Sequence, residues 1–435
     1  MSTVLFWFRN DLRLHDHPAL QAACAGGHRH LLPVLCLPDA ARDSGWGFAR
    51  MGPHRRAWWA SAIDSLRRSL QGLDCPLLLC SEPAAIALPA LARAVGADTI
   101  VCEAIEAPEE QAEVAALRAA GLTVRTIWQS SLLDPARLPW PVERLPPVFT
   151  AFRQAVEHAG LQPDLPLVAP AALPGWPAGV PEDRLRHQDD ALAAFAGTAP
   201  APDPRSAFAW RQSAWHGGED AALEHLAQYL SRGLPTSYKR TRNGLTGLDY
   251  SSKWSPWLAT GALSPRQAMA LLRRFEAEQG ASDGSYWLWF ELLWRDYFRF
   301  LHLQHGRALY RAHGLGPPRE TPHDPVRFAT WCAGETGQPL VDAALRELAA
   351  TGYLSNRLRQ VAASFLVHDL ACDWRAGAAW FEHHLLDYDV YSNQGNWLYI
   401  SGRGTDPRGG RRFNPEQQAA SYDPDGAHRR LWGTA

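Results

Sequence analysis

Short apolar runs alternate with amphipathic segments through the first part of the chain. A run such as TVLFWF at residues 3–8 fits a buried strand, and a segment such as 55–70 places its apolar residues at helical spacing. Strands are predicted at 3–8, 31–37, 77–80, 99–102 and 124–127, and helices at 18–25, 55–70, 84–95 and 108–120. This alternation predicts a parallel, doubly wound α/β sheet, a fold that binds ligands beyond the carboxyl ends of its strands.

The pattern changes in the second part of the chain. Residues 161–205 contain nine prolines, a composition typical of a connection between domains. Beyond residue 219 helical spacing dominates, and helices are predicted at 221–230, 265–277, 286–304 and 356–370. The prediction is therefore an α/β domain at 1–130, a Pro-rich connector at 131–205 and a mostly α-helical domain at 206–435. A chain of 435 residues is long enough for two cores.

Composition narrows the class of protein. Because 43 basic residues are balanced by 45 acidic ones, an anionic partner would need a local basic groove. The seven cysteines are scattered, without paired C-x-x-C motifs, which favours a reducing compartment and no structural zinc. The chain opens without a signal peptide and lacks a run of 18 apolar residues, so we expect a soluble, cytoplasmic protein.

The segment 385–404 carries the densest polar chemistry. Asp387 and Asp389 stand two residues apart, followed by an Asn-Gln-Gly-Asn run and by Trp397 and Tyr399. Buried like charges need partners, and arginines lie shortly upstream at 357 and 359. The spacing excludes an EF-hand loop, whose glycine is at the sixth position and whose glutamate is at the twelfth. A polar corner between two helices is the alternative that needs no ligand.

The predicted helix at 286–304 has aromatic residues on nearly every side, so we expect much of it to be buried. Glu291, Trp294, Arg295 and Phe298 share one face at i, i+3, i+4 and i+7. Two interpretations stay open: Glu291 pairs with Arg295, or this face is a cavity wall with a buried carboxylate directed at a ligand.

Residues 250–256, YSSKWSP, combine hydroxyls with Lys253 just before a proline. Proline favours the first turn of a helix, where hydroxyls and exposed N–H groups bind anions, although a serine there is often only a cap. Basic residues cluster at 232–242 and 403–412. Each cluster alone suits a solvated surface, whereas two clusters flanking aromatic residues favour a groove for a phosphate backbone.

Together these motifs resemble the photolyase/cryptochrome family, and the similarity extends nearly end to end. It rests on FWFRNDLR at 6–13, SPWLATGALSPR at 255–266, NRLRQ at 356–360 and the polar run at 387–397. The DASH-type branch is the part of the family that the chain resembles most, through 215–219, 238–245, 290–297, Gln360 and Tyr399.

The resemblance implies an FAD-binding helical domain. It assigns the cofactor to Tyr238, Ser251, Ser252, Lys253, Trp254, Ser255, Arg295, Asn356, Arg359, Asp387, Asp389 and Asn393. In this assignment Arg359 pairs with Asp387 beside the isoalloxazine ring, Asp389 lies near its pyrimidine edge, and Asn393 faces N5. Glu106 is the expected contact for a methenyl-tetrahydrofolate antenna.

The implied activity is that of a deoxyribodipyrimidine photo-lyase acting on cyclobutane pyrimidine dimers, with a preference for single-stranded DNA, in a monomer. The residues expected to line the lesion cavity are Glu291, Trp294, Gln360 and Tyr399, with the two aromatic rings sandwiching the dimer. Those expected at the DNA are Arg242, Arg357 and Arg411 on phosphates, together with Glu291, Trp294 and Asn356.

Photoreduction of the flavin is expected to use Trp397 and then Trp374, but the family's outer tryptophan is replaced by Thr321. The competing functions are a blue-light-sensing cryptochrome without repair and a light-independent flavin electron-transfer protein. Asn393, where plant-type signalling relatives carry Asp, and an ending about twenty residues past the FNP at 413–415 favour repair.

Overall fold

The computed structural model describes residues 2–210, 215–318, 320–406 and 408–433. Within these ranges the N-terminal part forms a five-stranded parallel sheet in the order β3-β2-β1-β4-β5. Its strands are β1 (Thr3–Phe8), β2 (His30–Cys36), β3 (Leu78–Cys80), β4 (Ala97–Glu103) and β5 (Thr123–Ile127). All six residues of β1 are buried, as expected for a central strand that is covered on both faces.

The first half and the connector also contain α-helices. They are α1 (Pro18–Ala25), α2 (Pro53–Gln71), α3 (Ala84–Val95), α4 (Pro108–Ala119), α5 (Phe149–His158), α6 (Glu182–Arg186) and α7 (Gln188–Ala196). The predicted strands and helices of the α/β sheet are thereby confirmed. The Pro-rich connector differs from expectation, because it contains three helices, and Phe149 of α5 stacks on Trp294 at a centroid distance of 3.7 Å. The domain boundaries themselves stay a prediction.

The second half is helical, as predicted. Its helices are α8 (Glu219–Ser231), α9 (Tyr238–Thr241), α10 (Ser255–Thr260), α11 (Pro265–Gln279), α12 (Asp283–His305), α13 (Pro325–Ala333), α14 (Pro339–Thr351), α15 (Asn356–Ser364), α16 (Trp374–His384), α17 (Val390–Ser401), α18 (Pro415–Tyr422) and α19 (Ala427–Trp432). The helix expected at 356–370 changes after Ser364 into a π-helical turn at Phe365–Asp369. Across the described residues no helix has both the length and the apolar composition to cross a membrane.

The loop after β1 joins the sheet to the helical part. Arg13 donates to the carbonyl of Gly261 at 2.8 Å, and Asp16 forms a buried ion pair with Arg266 at 2.8 Å. Gly261 has a left-handed φ of +71°, and a Cβ there would clash with the Asn10 carbonyl, so only glycine suits this close approach. These buried polar contacts fix the two parts of the chain against each other.

Candidate functional site

A cavity with about 540 Å³ of space, partly open to solvent, lies between α15, α16 and α17. Serine or aspartate side chains cap the first turn of all three helices: Ser355, Asp373 and Asp389. Gly377 allows α16 to approach α17 closely, because a Cβ at this position would clash with the ring of Trp397. The cavity is lined by Asn356, Arg359, Gln360, Ala363, Phe381, Leu385, Asp387, Tyr388, Asp389, Ser392, Asn393, Asn396, Trp397 and Ile400.

Arg359 and Asp387 form an ion pair in this cavity. Nη2 of Arg359 lies 2.9 Å from Oδ2 of Asp387, and the arginine Nε donates to the Leu354 carbonyl at 2.8 Å. The Asp387 side chain is only 2% exposed. Its other oxygen, Oδ1, is buried and lacks a hydrogen-bond partner among the described residues. Because an unsatisfied buried carboxylate oxygen is costly, this atom fits a ligand that donates a hydrogen bond.

Asp389 belongs to a second ion pair that the sequence analysis missed. Arg299 on α12 donates to its two oxygens at 3.4 and 2.5 Å, and Oδ1 also accepts from the Ser392 amide at the start of α17. Burial alone would raise the pKa of Asp389, but the charges of Arg299 and Arg295 outweigh it and lower the pKa to about 2. The available signal was the position of Arg299, one turn beyond Arg295 on the aromatic helix.

Of the two interpretations left open for Glu291, pairing with Arg295 is ruled out, because Glu291 bonds Arg242. Arg295 instead donates to the carbonyls of Ser130 at 2.5 Å and Leu258 at 3.0 Å. Burial, together with the nearby charge of Arg299, lowers the pKa of Arg295 to about 9. The residues that line the cavity do not include Arg295, so in this structure it supports the surrounding backbone.

Asn393 lines the cavity with a fixed amide. Its Nδ2 donates to the Ala378 carbonyl on α16 at 3.0 Å. This bond orients the amide and leaves Oδ1 as its acceptor for a ligand. The arrangement suits a ligand N–H group and supplies no proton of its own.

The segment before α10 holds a buried lysine. Lys253 has a left-handed φ of +58° and is 2% exposed, and its Nζ lies 3.3 Å from the centre of the Tyr250 ring. Within the described ranges its Nζ has no hydrogen-bond partner, and burial places its pKa well below the usual range. A strained, buried lysine without a partner fits an anionic ligand such as a phosphate, whose charge would stabilise the protonated amine.

The other residues predicted to hold the diphosphate differ in burial. Tyr238 and Trp254 are buried, and Ser251 and Ser252 are half-buried. Ser255 is exposed at the first position of α10. The indole N–H of Trp254 also lacks a partner in the part of the chain that the structure describes. The donor set therefore fits a phosphate-bearing cofactor.

Trp294 and Tyr399 come together, but not as two parallel plates. Their centroids are 5.4 Å apart, and the ring planes meet at 73°. Trp294 is also stacked on Phe149 of α5. The predicted sandwich is therefore wrong for this structure, because rings in edge-to-face contact leave no slot for a base between them. The two rings form an open corner against which a flat ligand could pack.

The three arginines predicted to hold phosphates are all engaged with neighbouring side chains. Each one bonds a residue predicted for the lesion cavity: Arg242 to Glu291, Arg357 to Gln360 at 3.3 Å, and Arg411 to the Tyr399 hydroxyl. Arg411 also pairs with Asp406 at 3.1 Å, and Arg357 donates to Asn243 at 3.0 Å. Asn356 is exposed and lines the cavity between α15, α16 and α17. Each of these arginines thus lies beside a residue predicted for the lesion cavity. We call the surface formed by the three pairs the rim.

The predicted electron-transfer residues are both buried. Trp397 lines the cavity, and Trp374 donates its Nε1–H to the Ala312 carbonyl at 3.0 Å. The Thr321 hydroxyl donates to the same carbonyl at 3.5 Å, so Thr321 lies beside Trp374. The sequence analysis did not predict that Phe381 packs against Trp397, with the two ring centres 5.1 Å apart.

Glu106 lies in the loop between β4 and α4. Its backbone N–H donates to the Tyr391 hydroxyl at 2.7 Å, and its carboxylate accepts from Gln111. A separate cleft opens beyond the carboxyl ends of β1 and β2, lined by Arg9, Arg50 and Glu110 among other residues but not by Glu106. This is the position at which a doubly wound sheet binds ligands.

Comparison with known proteins agrees with this geometry. The sequence profile described as DNA photolyase matches residues 4–171, and that of the FAD binding domain of DNA photolyase matches residues 287–433. Cryptochrome DASH of Gloeobacter violaceus is 42% identical over 438 residues, which cover 99% of this chain and 85% of that protein. Cryptochrome DASH of Xenopus laevis is 41% identical, with coverage of 99% and 82%.

Solved structures give the same assignment. A cryptochrome of Synechocystis sp. superposes with a TM-score of 0.90 at 40% identity, covering 99% of this chain and 88% of that one. A bacterial class III photolyase from Agrobacterium tumefaciens superposes with a TM-score of 0.77 at 29% identity, covering 99% and 86%. With matches of this extent, the chain belongs to the photolyase/cryptochrome family and to its cryptochrome DASH group.

Proposed function

We propose that this protein is a light-dependent photolyase that splits cyclobutane pyrimidine dimers, with single-stranded DNA as its preferred substrate. One observation carries the proposal: the cavity between α15, α16 and α17 is joined to the basic rim through one residue. Gln360 lines the cavity and accepts a hydrogen bond from Arg357 at the rim. A dimer held at this rim therefore lies beside the cofactor, as direct electron transfer requires.

Among the residues that would hold FAD, Asp387 and Lys253 each have a buried polar atom without a hydrogen-bond partner in the described part of the chain. Asp387, fixed by Arg359, offers the buried Oδ1 to a ring N–H, and Asn393 offers an amide oxygen. The ammonium of Lys253 would face the diphosphate. Bound FAD, reduced and excited by light, supplies the electron that opens the cyclobutane ring and takes it back afterwards. The protein contributes position, orientation and a dry environment.

The DNA-facing residues decide how the dimer is presented. A dimer inside stacked duplex DNA is out of reach, so it must be flipped out or met in a single strand. The corner of Trp294 and Tyr399 offers aromatic surface against which a dimer could pack. Glu291 is half-buried beside Arg242 at this rim, so its carboxylate could hydrogen-bond the polar edge of a dimer.

The test is to illuminate chemically reduced protein with dimer-containing oligonucleotides, single-stranded and duplex, and to count the dimers that remain. We expect loss of dimers in light and none in the dark, and faster loss from the single strand. FAD-loaded protein that leaves the dimers intact in light would overturn the proposal.

A second candidate is a blue-light-sensing cryptochrome with little repair activity. The observation that favours it is the name cryptochrome DASH, which the relatives carry. The two functions share the FAD cavity and differ at the lesion rim. The same experiment separates them, because a pure sensor would change its flavin spectrum in light without consuming dimers.

We also propose that Glu106 contributes to a methenyl-tetrahydrofolate antenna. The support is its half-buried position in the loop after β4, where Tyr391 fixes the backbone. Denaturation should release a folate together with FAD, and release of FAD alone would refute the antenna. A cytoplasmic monomer remains the expected form of the protein, which size-exclusion chromatography and cell fractionation would test.

A further inference from the structure

The rim carries its own acidic partners. We call Arg242, Arg357 and Arg411 the rim arginines. Arg242 pairs with Glu291, and Arg411 pairs with Asp406, so two of the three positive charges are matched by carboxylates. Without DNA the rim is therefore much less positive than its sequence suggests. Binding a phosphate there must compete with these ion pairs.

The pair of Arg242 and Glu291 is the one that can open most easily. The side chains are 23% and 31% exposed, so solvent already screens the pair. Arg242 also lies over the Trp287 ring, at 5.2 Å from its centre. This contact keeps the guanidinium at the rim when the carboxylate leaves it. In contrast, the side chain of Asp406, the partner of Arg411, is fully buried and accepts hydrogen bonds from two backbone N–H groups, so this pair is held in place.

We propose that Glu291 is a specificity-determining residue that masks Arg242 against undamaged DNA and releases it when a pyrimidine dimer enters the cavity. This inference rests on the proposed function, because it needs DNA at the rim. When an undamaged strand binds, the ion pair between Glu291 and Arg242 stays intact, so a phosphate of that strand faces an arginine whose charge is already neutralised. A dimer engages Glu291 through its polar edge, and Arg242 then becomes free to bind the adjacent phosphate.

The two contacts are thereby coupled. By linkage, a dimer that draws Glu291 away raises the affinity of the rim for phosphate, and a phosphate that holds Arg242 raises the affinity of Glu291 for the dimer by the same factor. Discrimination against undamaged DNA then arises from an internal competitor as well as from the fit of the lesion.

The test uses dark, FAD-loaded protein and fluorescence anisotropy with an undamaged single-stranded oligonucleotide over a range of salt concentrations. Glu291→Gln should bind this strand about threefold to fivefold more tightly, the range expected from losing a partly exposed ion pair. The slope of log affinity against log salt should become steeper by about one unit, since one more arginine meets a phosphate. The preference for dimer-containing over undamaged DNA should fall.

Glu182→Gln is the matched control. It makes the same change of charge and frees Arg186, which Glu182 pairs with at 2.7 Å on the short helix α6 of the connector. We expect its DNA affinity to stay within about twofold of the parent, as for an exposed pair. An equal gain in this control would overturn the proposal, because the effect would then come from net charge alone.

A double-mutant cycle tests the named partner. In the Arg242→Gln background, Glu291→Gln should give no further gain in affinity for undamaged DNA. A gain of the same size with and without Arg242, or no gain in the single variant, refutes masking. Retained flavin absorbance confirms that the variants are folded. If the parent binds no DNA, both this inference and the proposed function fail; if it repairs dimers but Glu291→Gln binds undamaged DNA like the parent, only this inference fails.

Discussion

Asp387→Asn is the substitution that tests the FAD site most sharply. The change keeps the size of the side chain but removes its charge. It also replaces one of the two carboxylate oxygens, both of which would accept hydrogen bonds, with an NH₂ group. Oδ2 holds Arg359 at 2.9 Å, and Oδ1 is buried without a partner among the described residues. A hydrogen bond to a charged group contributes about 1.5–3 kcal/mol. Since about 1.4 kcal/mol is a factor of ten in affinity, the Kd for FAD should rise about 10-fold to 100-fold.

The assay is fluorescence titration of FAD into protein from which the flavin was removed, with thermal unfolding measured in parallel. Asp373→Asn is the control, because Asp373 is equally buried, caps α16 and pairs with Arg375 at 2.6 Å but does not line the cavity. It should lower the free energy of unfolding and leave the Kd within about twofold of the parent, below the effect of losing one hydrogen bond. Unchanged affinity in Asp387→Asn, or an equal loss in Asp373→Asn, would refute the reasoning.

Three further outcomes follow from single contacts. The pKa of Asp389 is raised by burial but brought down to about 2 by the arginine charges, against about 3.9 in an unfolded chain. Its ion pair should therefore stabilise the protein by about 2–3 kcal/mol above pH 4. This contribution should be lost as the pH falls through 2. In Asp389→Asn the free energy of unfolding should depend less on pH over this range. Gly377→Ala should displace Trp397, whose ring occupies the space of the added Cβ, and lower both the melting temperature and the FAD content. We expect photoreduction of oxidised flavin to be inefficient, because Thr321 stands beside Trp374. Trp374→Phe should slow it further yet leave repair by dithionite-reduced protein unchanged; normal photoreduction in this variant would exclude the route.

The elements of the fold were predictable because the chain signals them locally. The run at 3–8 is apolar from residue 4 onward and becomes the central strand β1. The helix α12 extends the predicted 286–304 by one turn or less, since Ser282 and Ser285 cap each other's backbone at its start. In the connector the many prolines favoured an irregular segment, so α5 was not predicted. Its Phe149 and Phe152 pack against α12.

The pairing of charges was not predictable in the same way. The sequence offered Arg295 as the partner of Glu291, four residues away on the same helix, whereas the structure pairs Glu291 with Arg242, 49 positions distant. Asp389 likewise finds Arg299 across 90 positions. Such contacts depend on how helices pack, which local spacing does not encode. Motif resemblance succeeded where spacing failed, since it placed Arg359 against Asp387 before any packing was known.

The central claim is that this protein splits pyrimidine dimers with light. The most direct measurement is the ultraviolet absorbance of a dimer-containing single-stranded oligonucleotide mixed with dithionite-reduced, FAD-loaded protein. Dimer formation removes the double bonds that give pyrimidines this absorbance, so repair restores it. We predict a rise under blue light, no change in the dark, and a smaller rise with Glu291→Ala at equal FAD content. A flat absorbance under illumination, with FAD bound and reduced, would contradict the account.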